Sequence, residues 1–213
     1  MHQRAVRIGE LDGVRHYPVK SLRGESLHCA YVASDGIPRD RSSALFVRSG
    51  HARAGKTYRG KEHERLHLMD RSGEAQDAAR ARGVDLELRG GDRFFDDAPI
   101  SLLVNRWLDD LSRHVGYTVE WERFRPNFFV VADLGFSQAE TDLTGCELRL
   151  GTVRLRVRGP IERCVAITYH PHGEPSDPAI LRYLAQERNT WMGVYCDVVE
   201  AGFACVGDPL DLL

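Results

Sequence analysis

The sequence predicts a β-rich α+β protein with barrel-like sheets, and three observations support this. Alternating apolar and polar residues dominate the chain, one apolar run is continuous, and few stretches show helical spacing. The first alternating stretch is Val84, Leu86 and Leu88, set between charged residues before the turn signal Gly90-Gly91-Asp92. In the second, Leu148 and Leu150, then Val153, Leu155 and Val157, alternate on either side of Gly151-Thr152. That pattern predicts a hairpin with Arg149, Arg154, Arg156 and Arg158 on its wet face. The run Phe128–Ala132 is apolar throughout and predicts an interior strand. One helix is expected after Asp97 and Pro99, carrying Leu103, Trp107, Leu111 and Val115 at a spacing of four. Another is expected from about 176–178, with Ile180, Leu181 and Leu184 on its apolar face, and a weaker alanine-rich one over 73–82. The loop 90–97 is the expected boundary between a small N-terminal β-barrel portion, residues 1–92, and a larger barrel-like domain, residues 93–213. No internal repeat or low-complexity segment interrupts this plan.

Composition narrows the function classes. At 213 residues, with 42% hydrophobic and 28% charged residues, the chain can bury a real core and is neither disordered nor membrane-like. A net charge of -2 argues against a nucleic-acid partner, although the many arginines allow local basic pockets. No stretch approaches the roughly 18 apolar residues a spanning helix requires. The opening MHQRAVRIGELDGV has no apolar signal core, so a cytoplasmic location is expected. The five cysteines, Cys29, Cys146, Cys164, Cys196 and Cys205, are odd in number and irregular in spacing. They are expected as reduced thiols rather than a disulfide framework.

Four short segments carry candidate chemistry. Tyr17-Pro18-Val19-Lys20-Ser21-Leu22-Arg23-Gly24 gathers an ammonium, a hydroxyl and a guanidinium at a loop, which suits a phosphate and also suits a solvated turn. In Gly36-Ile37-Pro38-Arg39-Asp40-Arg41, Asp40 can orient Arg41 as an anion clamp or form a surface ion pair. Arg125 and Asn127 straddle Pro126 ahead of the apolar strand, and Asn127 offers both a donor and an acceptor, as a pterin edge requires. Cys164 closes the arginine-rich hairpin with Arg163 adjacent, a pairing suited to a thiolate that binds soft metals, while an inert buried thiol is the plain alternative. His170-Pro171-His172 raises structural zinc, which the cysteine spacing does not support.

In combination and order, Tyr-Pro-Val-Lys-Ser, Asp-Arg, Phe-Arg-Pro-Asn, Arg-Cys and the closing Gly207-Asp208-Pro209 resemble the MOSC family, which includes the C-terminal domain of molybdenum cofactor sulfurase and the amidoxime-reducing proteins. The resemblance covers nearly the whole chain and implies a barrel-like MOSC domain preceded by its N-terminal β-barrel portion. It implies a molybdenum cofactor (molybdopterin) with Cys164 as a ligand to the metal. It further implies that Lys20, Ser21 and Arg41 hold the pterin phosphate, that Arg125 and Asn127 contact the pterin, and that Tyr195 lies near the metal. The chain departs from the amidoxime-reducing pattern at residues 52–61, at Tyr169-His170-Pro171, at Leu143, and at Glu162, where those proteins often carry serine.

The implied activity is a molybdenum-dependent oxidoreductase that reduces N-hydroxylated or related N–O small molecules by oxygen-atom transfer. Cysteine-based sulfur transfer or carbon–sulfur cleavage without molybdenum, and a molybdopterin carrier, remain open beside it. The sequence has no Gly-x-Gly-x-x-Gly, haem or iron–sulfur motif, so a separate flavin or iron–sulfur reductase is expected as electron donor. Glu162 stands two residues before Cys164, and in an extended chain the two share a side. It is therefore a candidate catalytic or selectivity residue alongside Cys164 and Tyr195.

Overall fold

In the computed structural model, which describes residues 5–91 and 93–213, seven strands close into one barrel. Asp92 of the expected turn and the first four residues of the N-terminal opening lie outside the described residues. The strands are β1 (Val6–His16), β2 (Glu25–Leu27), β3 (Cys29–Val32), β4 (Ser43–Gly50), β5 (Val84–Gly90), β6 (Ile100–Val104), β7 (Phe128–Ala132), β8 (Glu147–Leu150), β9 (Val153–Glu162), β10 (Trp191–Glu200), β11 (Gly202–Cys205) and β12 (Pro209–Leu212). The barrel order is β12-β8-β9-β10-β6-β7-β1, closed by pairing of β12 with β1, and β2 extends the sheet from β1. Strands from both sides of residue 92 thus share one sheet. Closure removes the open edges that would otherwise template aggregation.

Three helices complete the α+β fold: α1 (Ser72–Ala81), α2 (Asn105–Val115) and α3 (Pro178–Glu187). The alanine-rich helix and the helix near 176–178 lie where the sequence placed them. Asp177 caps α3 by accepting from Ala179 N–H at 2.8 Å, and Pro178 starts it without a lost bond. The helix expected after Pro99 begins only at Asn105. Leu103 belongs instead to β6, whose five residues are all buried. A run buried on both faces forms a barrel strand whatever its helical spacing, because the sheet meets its backbone bonds where no amphipathic face is needed. β6 and β7 are the parallel pair in this sheet, and α2 is the crossover that joins them. Trp107, Leu108 and Leu111 bury its inner face, and Gly116 ends it with φ +83°.

Leu11, Ile100, Leu102, Phe128, Val130 and Leu155 lie at the centre of the barrel core. A second core forms where β4 and β5 pair and α1 covers them, joining Leu22, Leu45, Val47, Tyr58, Leu66 and Leu86. The predicted hairpin is β8–β9, turning at Gly151 and Thr152, and all four of its arginines are at least partly exposed. β9 runs on to Glu162 and so delivers Arg163 and Cys164 to the barrel mouth.

The cysteine expectation is corrected at one pair. Cys29 and Cys205 face each other in the β3–β11 register and form a disulfide, while Cys146, Cys164 and Cys196 are free. Irregular spacing in sequence says nothing about cross-strand register, which set this pairing. Disulfides persist in oxidising surroundings, so counting cysteines does not place this chain in a reducing compartment.

The bridge spans 176 residues of sequence, and closing so long a loop constrains the unfolded chain strongly. Dithiothreitol, or Cys205→Ser, should therefore lower stability by about 2–4 kcal/mol. For a chain of this size that corresponds to a fall in Tm on the order of 10 °C. Thermal melts with and without reductant measure it, and an unchanged Tm would show that the bridge contributes nothing.

Candidate functional site

Residues at the barrel mouth enclose a cavity of about 640 Å³. All eight residues singled out from sequence line it: Lys20, Ser21, Arg41, Arg125, Asn127, Glu162, Cys164 and Tyr195. Its wall carries nine Lys and Arg side chains against three Asp and Glu, on a chain whose total charge is -2. Such a concentration of one sign favours an anion over a cation in the cavity.

A compact polar hub organises the mouth. β1 ends at His16, and the chain turns at Tyr17, whose ring is buried and packed against Gly24. A Cβ at residue 24 would fall 2.3 Å from that ring, which accounts for the glycine. Tyr17 N–H donates to Asp40 Oδ1 at 2.7 Å and its hydroxyl donates to Pro126 O at 3.1 Å. The guanidinium groups of Arg41 and Arg125 lie over the Tyr17 ring at 4.6 and 4.3 Å. Asp40, 2% exposed, pairs with Arg41 and accepts from Asn127 Nδ2 at 3.1 Å.

Asn127 plays a different part from the one its sequence position suggests. Its Oδ1 accepts from Ser101 N–H at 3.1 Å, Ser101 Oγ at 3.0 Å and Arg41 Nη1 at 3.3 Å. Its Nδ2 donates to Arg15 O at 3.3 Å as well as to Asp40. Two lone pairs and two N–H groups are thereby taken up within the protein, and the side chain ties β1, β6 and the Asp40–Arg41 turn together. Neighbouring backbone is held in left-handed conformation at Ser21 (φ +73°), Arg41 (φ +47°) and Arg125 (φ +53°), all on the cavity wall. Strain of this kind, costing on the order of 1–3 kcal/mol per residue, is kept where the surroundings fix it and a side chain must be aimed.

Electrostatics follow the same geometry. Burial lowers Arg125 to about 10, with the nearby Arg41 charge adding to the effect, and burial lowers Arg163 to about 10. Burial also opposes the charge on Arg41, but Asp40 outweighs it and the net shift is upward. Both lowered guanidinium groups remain charged at neutral pH and are short of negative partners. Lys20 is held by Asp96 at 2.5 Å, from the loop before β6. Burial raises Tyr195, reinforced by Asp96, so the phenol keeps its proton at neutral pH and can donate it.

Cys164 follows β9 directly, is exposed, and opens the short 3-10 turn Val165–Thr168. Arg163 beside it turns its guanidinium to Met192 O and Phe124 O, both at 2.8 Å, leaving Nη2 buried with no partner. Arg15 Nε and Arg59 Nε, also on the cavity wall, are orphaned in the same way. A buried donor without an acceptor costs about 1–3 kcal/mol, so these wall groups are free to bond an anion; Arg106 Nε and Arg154 Nε, off the wall, are orphaned too. Glu162 is exposed on the wall and makes no hydrogen bond or ion pair with a described residue. Arg163 does not pair with Glu162, since its guanidinium bonds two backbone carbonyls. His170 sits with Nε2 at 3.2 Å from Glu120 Oε1, and among the described residues no three His, Cys, Asp or Glu side chains form a metal cluster.

Sequence reasoning did not single out Arg15 or Lys61 as wall residues. Arg15 lies on the last turns of an alternating strand, a signal that marks one face but not the cavity it borders. Arg59 and Lys61 reach the site through the fold of the second core, which no local pattern encodes.

The barrel mouth thus presents a cavity rich in guanidinium groups with an exposed thiol on its wall. Residues 85–211 match the MOSC domain family, and the chain belongs to that family. The family is associated with the molybdenum–pterin cofactor. Among solved structures, the chain is similar to the YuaD protein of Bacillus subtilis, at 16% identity over 98% of both chains and a TM-score of 0.58. It is also similar to YiiM of Geobacillus stearothermophilus, at 19% identity over 54% of both chains and a TM-score of 0.42. A further likeness is to YiiM of Escherichia coli, at 15% identity over 94% of this chain and 70% of that one, with a TM-score of 0.45. No curated protein matches.

The hub is open to a direct test. Asn127→Ala should leave Asp40 and Ser101 with buried, unmatched polar groups and destabilise the protein by roughly 2–4 kcal/mol. Urea unfolding would measure this. A change under 0.5 kcal/mol would mean that the amide does not hold the mouth together.

Proposed function

We propose that the cavity holds a molybdenum–pterin cofactor and that the chain is an oxidoreductase acting on N-hydroxylated or related N–O small molecules. The observation that carries this reading is the exposed Cys164 thiol on a wall rich in cationic groups, with Arg163 Nη2 buried and unpartnered beside it. An anionic cofactor supplies the missing acceptor, and a thiolate is the soft ligand that suits molybdenum. The residues fit the group on both counts. The cofactor, when bound, supplies two-electron oxidation–reduction chemistry at the metal.

The chain's own residues bind, orient and handle protons. Lys20, Ser21 and Arg41 would hold the phosphate, with Arg41 already oriented by Asp40. Arg125 and Arg163 would face the same anion, whose charge would offset the effect of burial on both by favouring their charged forms. Asn127, its amide already engaged, acts by positioning Arg41 and Ser101. Reduction of an N-hydroxylated substrate to the amine and water consumes two electrons and two protons. Tyr195 carries a proton at neutral pH, and Glu162, unpaired at the wall, can pass one in from solvent. The electrons come from outside the chain, from a separate flavin or iron–sulfur reductase. The amidoxime-reducing proteins, which the motif order resembles, give the model for this substrate class.

Elemental analysis of the purified protein tests the assignment. Molybdenum should be retained by wild type and by Cys146→Ser and Cys196→Ser, and lost or greatly reduced in Cys164→Ser. Lys20→Ala and Arg41→Ala should each weaken pterin retention by about 1.5–3 kcal/mol, or roughly 10- to 150-fold. Full molybdenum in Cys164→Ser would overturn the ligand. Protein free of molybdenum under loading conditions would favour sulfur chemistry at the cysteine.

Glu162→Gln keeps the shape and removes the charge. Metal content should stay near wild type, while turnover falls or its pH profile shifts. Unchanged turnover and pH dependence would assign Glu162 to the scaffold.

A further inference from the structure

The cavity has a second cationic end that the cofactor reading does not use. The segment Arg59-Gly60-Lys61 comes from the N-terminal half of the chain, yet lines the same cavity as Cys164. Gly60 packs on the turn that follows the thiol: a Cβ there would lie 3.4 Å from Ala166 Cβ and 3.5 Å from the Tyr169 ring. The segment is fixed on both sides. Tyr58 is buried in the second core and its N–H donates to Leu45 O at 2.8 Å, while His63 is buried and its N–H donates to Arg59 O at 3.1 Å. Glu62 Oε2 accepts from Arg59 N–H at 2.9 Å, which keeps that carboxylate on the backbone.

The cationic groups here are loosely held. Arg59 makes a long ion pair with Glu62 Oε2, at 4.0 Å, and its Nε is buried with no hydrogen bond. Lys61 is exposed and makes no ion pair with a described residue. Elsewhere on the wall, Lys20 is paired with Asp96, Arg41 with Asp40, and Arg123 with Glu120 at 2.7 Å. One cation without an ion pair and one with only a long one, on a segment that packs against the turn after the thiol, form a site for a further oxyanion.

We propose that Arg59 and Lys61 form an oxyanion subsite for the substrate, so that the preferred substrates carry a carboxylate, phosphate or sulfonate group. This rests on the reading of Cys164 as the reacting end of the cavity. Glu162 repels a like charge, so the substrate's anionic group goes to Arg59 and Lys61 while its N–H or hydroxyl end meets Glu162. Lys61 and Glu162, unpaired and of opposite sign, thereby set the direction in which a substrate enters.

Calorimetric titration with inorganic sulfate tests the subsite without turnover. In cofactor-loaded protein the Lys20–Arg41 end is filled, and wild type should bind one sulfate. Lys61→Gln should weaken it severalfold, and Arg59→Gln/Lys61→Gln at least tenfold, with molybdenum and pterin contents unchanged. Lys56→Gln, an exposed charge off the cavity wall, should leave sulfate affinity as in wild type. If the protein proves to hold no cofactor, the cofactor reading falls but the subsite does not. The empty cavity should then take sulfate at both ends, one site weakened in Lys20→Ala and the other, severalfold, in Lys61→Gln. Wild type without affinity for sulfate, or variants at Arg59 and Lys61 that bind it as wild type does, would overturn the proposal. Because Lys61 is exposed and unpaired, its single variant should fold normally and keep the test decisive.

Discussion

Like charges repel, and the barrel mouth gathers them all the same: the guanidinium groups of Arg41 and Arg125 both lie over one buried tyrosine ring. Asp40 makes this arrangement possible. Buried at 2% exposure, it answers Arg41 directly and holds Tyr17 and Asn127 by hydrogen bonds. Removing one partner from such a buried ion pair is costly, because the other charge is left without water or counter-charge. Nine cationic side chains still face three carboxylates on the cavity wall, and burial, more than their neighbours' charge, lowers Arg125 and Arg163.

The barrel places this hub. β1 pairs with β7 and β12 within the same sheet and ends at the mouth, so the segment after His16 is delivered to the entrance. β9 runs long enough to carry Glu162 and Cys164 to the same place, and β10, paired with β9 and β6, brings Tyr195. Asn127 lies just before β7 and bonds Ser101 near the start of β6, so the parallel pair joined by α2 begins at the cavity. The wall therefore draws on the ends of β1 and β9, the middle of β10 and the starts of β6 and β7, brought together by register rather than by local sequence. The second core adds Arg59 and Lys61 from the other side.

Much of this was legible in the sequence, for physical reasons. Strands such as β8 and β9 announce themselves by alternation because one face is wet, and the capped helix α3 by Asp177 and Pro178. Placement of all eight candidate residues on one wall followed from motif order, which a family resemblance preserves at low identity. What was not legible depended on distance in sequence. Leu103 fitted a helical spacing, but burial on both faces placed it in a strand. Cys29 and Cys205 met through strand register 176 residues apart. Asn127 looked like a free recognition group until its four hydrogen-bonding positions were traced to Ser101, Arg41, Arg15 and Asp40. Arg163 looked like a partner for Cys164, yet two backbone carbonyls claim it.

The central claim is that Cys164 sulfur binds molybdenum in a cavity whose unpartnered guanidinium groups await an anionic pterin. X-ray absorption at the molybdenum edge, recorded on loaded wild type and on whatever metal Cys164→Ser retains, tests it most directly. The account predicts one sulfur scatterer more around the metal in wild type than in the variant. Equal sulfur coordination in the two proteins would contradict it.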